Sequence, residues 1–166
     1  MKGGGKLSLS VKGVGQVKAN IEARRKLIKE ASKTALVLAA FKLHTNIVHS
    51  ISSDESIGRT YTHYFVTGKN GGIFQGKKRN KPHIASKPGD APNIDEGDLA
   101  RGLGFDKSPK AKAGGYRIVV RSADPKSAWL EYGTARMAPR PFMVPALKAI
   151  VPEFKRILKR EIDRVL

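Results

Sequence analysis

A stretch near the amino terminus limits the possible folds of this chain more than any other feature. Residues 16–51 contain no proline and no glycine, the two residues that most often interrupt a helix. Apolar side chains recur along one helical stripe, which comprises Val17, Ile21, Ile28, Ala31, Ala35 and Leu38. The sequence therefore predicts a long helix over residues 14–52. At about 1.5 Å per residue it would reach roughly 50 Å, so we expect part of it to pack against something beyond the chain's own core.

A second helical pattern occupies residues 144–166. Its apolar face comprises Phe154, Ile157, Leu158, Ile162 and Val165, and its opposite face comprises Lys155, Arg156, Lys159 and Arg160. Pro145 suits the first turn, where a missing N–H group costs nothing, while Pro152 predicts a kink or a restart. The basic face either lies in water or meets an anionic partner.

Two segments in the first half of the chain have the composition of strands. Residues 60–75 are rich in β-branched and aromatic side chains around Gly71 and Gly72, which predicts a strand pair or an extended arm. Apolar and polar side chains alternate within residues 1–13, which predicts an N-terminal arm or strand.

The second half adds a hairpin and, before it, a long loop. Residues 116–133 predict two antiparallel strands that turn at Asp124 and Pro125. Residues 76–104 predict an extended, proline-rich loop that ends in a short helix capped by Asp95. The fold class is therefore α+β in a single domain, with a long N-terminal helix packed on a small antiparallel sheet, a long proline-rich loop and a C-terminal helix.

The charge balance indicates the kind of partner this protein has. Lysine and arginine number 32 against 14 aspartate and glutamate, a net charge of +18, and both ends of the chain are more basic than the middle. Such an excess favours a polyanion or an acidic protein surface as neighbour. The chain has no cysteine, and its longest apolar run, residues 35–41, is too short to cross a bilayer. We therefore expect a soluble protein that assembles in the cytosol, without a membrane partner.

The densest basic cluster is a candidate contact with DNA. It comprises Lys77, Lys78, Arg79 and Lys81. Such a cluster can bind phosphates without reading sequence, because no aromatic side chains are interleaved to stack on bases. A solvated loop is the alternative explanation.

The chain offers little material for catalysis or metal binding. The histidines at positions 44, 49, 63 and 83 lack the spacing of a metal-binding pair, and no serine has a recognisable general base nearby. An acidic cluster, comprising Asp90, Asp95, Glu96 and Asp98, is better explained by solvated caps than by paired catalytic carboxylates. We therefore expect a protein that is not an enzyme and that needs no cofactor and no metal.

Residues 129–147, with the sequence WLEYGTARMAPRPFMVPAL, combine aromatic anchors with stiff backbone. Prolines on either side of Phe142 leave it little entropy to lose on binding, and Gly133 permits a positive φ at the end of the predicted strand. Rigid aromatic residues suit permanent interfaces, although Trp129 and Phe142 could equally fill the chain's own core. Glu131 is expected to pair with Arg136, with Arg140 or with a cation of a neighbouring subunit.

The same stretch resembles a known family. It is similar to the strand, the Glu-x-Gly-Thr turn and the Pro-Phe helix entry of the tailed-phage neck and tail-completion proteins, the gene-product-ten family of lambdoid phage type. Residues 11–17 resemble that family's opening Lys-Gly element. A third motif is similar at Ser86, Pro88, Gly89, Pro92, Asn93, Asp95, Gly97 and Leu99. The basic cluster at 77–81 is not part of the family pattern.

The resemblance implies a non-enzymatic structural protein of the virion. It implies a homo-oligomeric ring at the head–tail junction that joins the tail to the connector around the DNA channel, assembled in the host cytoplasm. The implied partners are other neck, connector and tail-tube proteins, with genomic DNA in the channel as a further candidate. The subunit interface is expected to comprise Trp129, Glu131, Tyr132, Gly133, Thr134, Arg140, Pro141, Phe142, Pro145, Pro88, Gly89, Pro92 and Asp95. The alternative from another class is a basic, non-specific DNA-binding module.

Overall fold

The computed structural model describes residues 12–52 and 56–166. In chain order the elements are α1 (Val14–Ser52), β1 (Thr60–Thr67), β2 (Ile73–Ile84), α2 (Asp98–Arg101), β3 (Leu103–Phe105), β4 (Lys110–Lys112), β5 (Gly115–Arg117), β6 (Val120–Ser122), α3 (Lys126–Tyr132) and α4 (Met143–Asp163). The predicted α+β class, with a long N-terminal helix, small antiparallel sheets and a C-terminal helix, is confirmed. The strand predicted within residues 1–13 falls almost entirely outside the described residues.

The two long helices pack side by side in antiparallel directions. Ala35 and Ala39 of α1 contact Ile157, near the end of α4. Further along α1, Ile47 packs near Phe142, which immediately precedes α4. Alanines at the contact let the two backbones approach closely, so a narrow stripe of α1 suffices to bind α4.

The core lies where the end of α1 meets the start of α4. It is built from Ile47, Ile51, Leu103 and Phe142. The Phe142 side chain is only 1% exposed, so it belongs to the chain's own core and is not an exposed interface anchor. Of the two alternatives that the sequence left open for Phe142, the structure shows the core.

The first half of α1 extends beyond the rest of the fold. Every residue from 12 to 30 except Ile28 is exposed, and the buried residues of the helix begin at Ala31. At about 1.5 Å per residue, residues 14–30 project roughly 25 Å past the body of the protein. Part of the predicted stripe therefore has no partner in the described chain.

Three two-stranded antiparallel sheets replace the single small sheet of the sequence prediction. They pair β1 with β2, β3 with β6, and β4 with β5. The hairpin predicted over residues 116–133 is wrong, because residues 127–132 belong to the helix α3. Asp124 begins that helix: its carboxylate accepts the N–H of Lys126 at 2.8 Å and its carbonyl accepts the N–H of Ser127 at 3.0 Å. Asp124 and Pro125, predicted from the sequence to form a turn between two strands, precede the first turn of a helix instead.

The predicted loop over residues 76–104 is shorter than expected. Strand β2 continues to Ile84, so the basic cluster lies on a strand and not in a loop. The short helix α2 is present, but Gly97 occupies its cap position and Asp95 contacts Arg79 instead. At the carboxyl end, α4 has Pro145 in its first turn as predicted and continues through Pro152.

No helix in residues 12–52 or 56–166 combines the length and the apolar character needed to cross a membrane.

Replacing Phe142 with alanine is expected to lower the free energy of unfolding by about 3–5 kcal/mol, because a large buried side chain would leave a cavity in the core. The apolar control is Ile57→Ala, whose side chain is 71% exposed and whose loss should cost about 0.5 kcal/mol or less. Urea unfolding followed by circular dichroism, with all proteins at one concentration, measures both. Equal losses for the two variants would contradict the placement of Phe142 in the core.

Candidate functional site

A buried carboxylate joins α3 to α4. Both oxygens of Glu131 accept backbone N–H groups, from Phe142 and Met143 on one oxygen and from Val144 on the other, each at 2.9 Å. Helix N-termini leave such N–H groups without partners and favour negative charge, so Glu131 satisfies both requirements of α4 at once. The predicted pairing of Glu131 with Arg136 or Arg140 is therefore wrong. Glu131 instead fixes the start of α4 against α3.

The turn between α3 and α4 is held tightly by its own backbone. Gly133 has a φ of +75°, and a Cβ there would lie 2.8 Å from the Met137 carbonyl oxygen, so glycine is required. Thr134 donates its N–H to the Met137 carbonyl at 2.8 Å. The Arg140 N–H reaches the carbonyl of Leu130 at 2.6 Å, which closes the turn.

Two of the three motifs that carry the family resemblance contact each other within one chain. Arg140 donates its Nε–H to the carbonyl of Ser86 at 3.2 Å, and the N–H of Gly89 binds the carbonyl of Pro139 at 2.9 Å. Pro92 is buried. The loop after β2 thus packs on its own subunit, which is an arrangement that the sequence did not predict.

The aromatic residues of α3 face outward. Trp129 is 57% exposed and Tyr132 is 77% exposed. The stretch from 129 to 147 therefore divides into an inward part, with Glu131 and Phe142, and an outward part, with Trp129 and Tyr132. Of the aromatic residues in this stretch, the outward pair is available to contact another molecule.

We call the β1–β2 hairpin the arm. A second exposed apolar surface lies at the tip of the arm and comprises Phe65, Val66, Ile73 and Phe74. Val66 pairs with Phe74 across the strands, and the Phe74 ring lies against Gly68 in the connecting turn. The β-branched and aromatic composition predicted the strands, but it did not predict that both faces of the tip are exposed.

The base of the arm is clamped to the loop that follows it. Arg79 makes two hydrogen bonds to the Asp95 carboxylate, and its guanidinium lies 4.2 Å from the centre of the Tyr64 ring. The Asp95 hydrogen bonds raise the pKa of Arg79 above its ordinary value. A hydrogen bond from the Tyr64 hydroxyl to Glu96 likewise raises the pKa of Tyr64. Arg79 therefore attaches the base of the arm to the following loop, and its side chain is only 12% exposed.

The three lysines of the basic cluster remain available to solvent. Lys77, Lys78 and Lys81 are exposed on β2, and none forms a salt bridge with a carboxylate of the described residues. Of the four predicted DNA contacts, these three can meet an anion.

A cleft of about 310 Å³ lies between the base of the arm and α3. Its carboxylates are mostly engaged: Asp95 binds Arg79, Asp98 binds Arg101, and Asp124 accepts the N–H of Lys126. The buried Ser86 hydroxyl, also in its lining, has no hydrogen-bond partner among the described residues. The polar groups of the cleft are therefore engaged mainly in structural contacts.

No three histidine, aspartate or glutamate side chains come together as candidate metal ligands in the part of the chain that the structure describes. His83 lies 3.8 Å from Asp95, and the His44 ring packs 5.6 Å from that of Phe105.

Comparison of the chain with models of known protein families, with curated proteins and with solved structures finds no match. The family resemblance therefore rests on the three motifs.

Removing the Glu131 carboxylate is expected to destabilise the protein by about 3 kcal/mol in Glu131→Ala, because three buried or half-buried N–H groups lose their acceptor. Glu131→Gln keeps one acceptor oxygen without charge and should lose about half as much. The control is Glu153→Ala, which removes an exposed pair with Lys42 and should cost about 1 kcal/mol or less. Thermal and urea unfolding give these differences, and a Glu131→Ala loss no larger than that of Glu153→Ala would contradict the capping role.

Proposed function

We propose that this chain is a non-enzymatic structural protein of a tailed-phage virion that assembles into a homo-oligomeric ring at the head–tail junction. One observation carries the proposal: large apolar side chains are exposed on three elements that project from a small core. These elements are the arm tip, α3 with Trp129 and Tyr132, and the first half of α1 with Val17 and Ile21.

The projecting elements need a partner on physical grounds. A lone two-stranded hairpin is at best marginally stable in water, so an arm with few other contacts is stabilised by a partner that covers it. Contiguous exposed apolar surface on a monomer is usually a contact site. Association with further copies would cover this surface and make the stability of the protein depend on its concentration.

The assignment to the phage neck is supported by the motif resemblance and by the way the motifs meet. Residues 86–99 and 129–147 are far apart in sequence, yet they form one unit through Arg140 and Gly89. Such a unit is expected if the shared motifs specify one structural element. The ring would join the tail to the connector around the DNA channel, with other neck, connector and tail-tube proteins as partners and assembly in the host cytoplasm.

Sedimentation velocity over a range of concentrations tests the assembly. We expect oligomers that grow with concentration to a defined size, and we expect Trp129→Ser combined with Tyr132→Ser to weaken association at least tenfold, which is about 1.4 kcal/mol. The control is Lys126→Ser, an exposed polar change on the same helix. A protein that stays monomeric at every concentration would overturn the proposal.

Labelled particles test the location separately. In purified phage that carries this chain, an antibody against it should decorate the head–tail junction in electron micrographs. Label along the tail or on the capsid would contradict the neck assignment while leaving the assembly intact.

The second candidate, non-specific DNA binding, is favoured by Lys77, Lys78 and Lys81, which are exposed on one strand without carboxylate partners among the described residues. If they contact phosphates, changing all three to glutamine should lower the slope of log affinity against log salt by about 3, because each contact contributes roughly 0.9. The control changes three exposed lysines elsewhere, Lys107, Lys112 and Lys126, to glutamine. Fluorescence anisotropy with duplex DNA at several salt concentrations measures the slopes. An equal reduction in both triple variants would contradict a site on β2.

A further inference from the structure

We propose that the arm tip of one copy inserts into an apolar groove between α1 and α4 of the next copy. This inference rests on the proposed assembly and specifies its contact. It makes the interface heterologous, with two different surfaces of the same chain meeting.

The groove is a sizeable apolar space that residues 12–52 and 56–166 leave open. Its volume is about 430 Å³, and its lining comprises Leu36, Ala39, Ala40, Leu43, Ile47, Ile118, Val119, Val120, Met143, Val144, Leu147, Ile150, Val151 and Phe154. Along its α4 side, Leu147 is 52% exposed and Val151 is 49% exposed. No lining residue carries a charge, so a matching occupant should be apolar.

The arm tip has the shape and chemistry of such an occupant. Val66 lies opposite Phe74, so these two share one face of the hairpin, while the neighbouring residues Phe65 and Ile73 point to the other face. Because both faces are apolar, covering the tip requires a groove and not a flat surface. These four side chains are between 52% and 64% exposed.

Charge selects these two surfaces for contact between copies. Two chains of net charge +18 repel each other over most of their surface. Strand residues 65–67 and 73–76 and the groove lining carry no charge, so these surfaces can meet without pairing cations directly. Lys69, in the turn beyond the apolar side chains, is the one cation at the end of the arm, and in this contact it stays in solvent at the edge of the groove. An acidic partner would instead be drawn to the lysine-rich surfaces elsewhere.

The area available is consistent with a repeated contact. The four tip side chains expose roughly 400 Å² of apolar surface in total, about half of the ~800 Å² per partner in a stable interface. Each copy would present one tip and receive another, so its share of buried surface would double. A heterologous contact of this kind generates a closed ring when the rotation between copies allows it.

Engineered cysteines test the contact directly, because the natural chain has no cysteine. Phe74→Cys and Leu147→Cys are made in separate proteins, mixed, and oxidised mildly. Since a disulfide needs Cα atoms within about 7 Å, the mixture of Val66→Cys with Val151→Cys samples a neighbouring geometry. We expect at least one tip–groove mixture to form disulfide-linked dimers tenfold faster than either of its single variants alone.

The control replaces the tip cysteine by Lys112→Cys, at the exposed end of the β4–β5 hairpin, against the same groove cysteine. Tip–groove cross-linking no faster than this control would overturn the docking. So would a Phe74→Cys/Leu147→Cys double variant that closes within a single chain at all dilutions, because the arm would then cover its own groove.

Failure of the docking can be separated from failure of the assembly. If the wild-type chain forms oligomers and no tip–groove pair cross-links, the contact is wrong and the proposed assembly stands. If the wild-type chain remains monomeric, both are overturned.

Discussion

The arrangement of this protein depends on the Glu131 carboxylate, which accepts three backbone N–H groups at the start of α4. A helix N-terminus buried beside the core needs acceptors, and α4 has no side-chain cap of its own. By binding there, Glu131 fixes the direction in which α4 leaves α3 and places Phe142 between α1 and β3. The antiparallel contact of α4 along α1 follows from that direction.

Once Phe142 is fixed inward, the other aromatic residues of the stretch are fixed outward. Seven residues of helix, Lys126–Tyr132, separate a buried face with Ser127 and Glu131 from an exposed face with Trp129 and Tyr132. The same local sequence thus supplies both a core residue and an exposed aromatic surface. The tight turn at Gly133 and the bond from Arg140 to Ser86 extend this rigidity to the loop after β2.

The sequence predicted those parts of the fold that local periodicity determines. The bounds of α1, the strand pair of the arm and the C-terminal helix follow from proline-free apolar stripes and from β-branched composition. The helix α3 was missed because Trp129 and Tyr132 have strand propensity, whereas the hydrogen bonds that Asp124 accepts favour a helix start. The roles of Glu131 and Arg79 were missed because their partners lie 11 to 16 residues away, and only the tertiary structure brings them together.

The small core, the high charge and the long projections together limit how copies of this protein can associate in an ordered way. With a net charge of +18, a chain that exposed its apolar surface evenly would either remain dispersed by repulsion or associate without order. In the proposed docking, the apolar strands of the arm tip meet a groove whose lining carries no charge, so this pair of surfaces can associate despite the repulsion between the rest of the two copies. The Arg79–Asp95 clamp and the Tyr64–Glu96 hydrogen bond hold the arm at a set angle to the body. In the proposed assembly, the value of that angle decides whether successive copies close into a ring or extend as a filament, because a heterologous contact closes only when the rotation between copies completes a full turn in a whole number of steps.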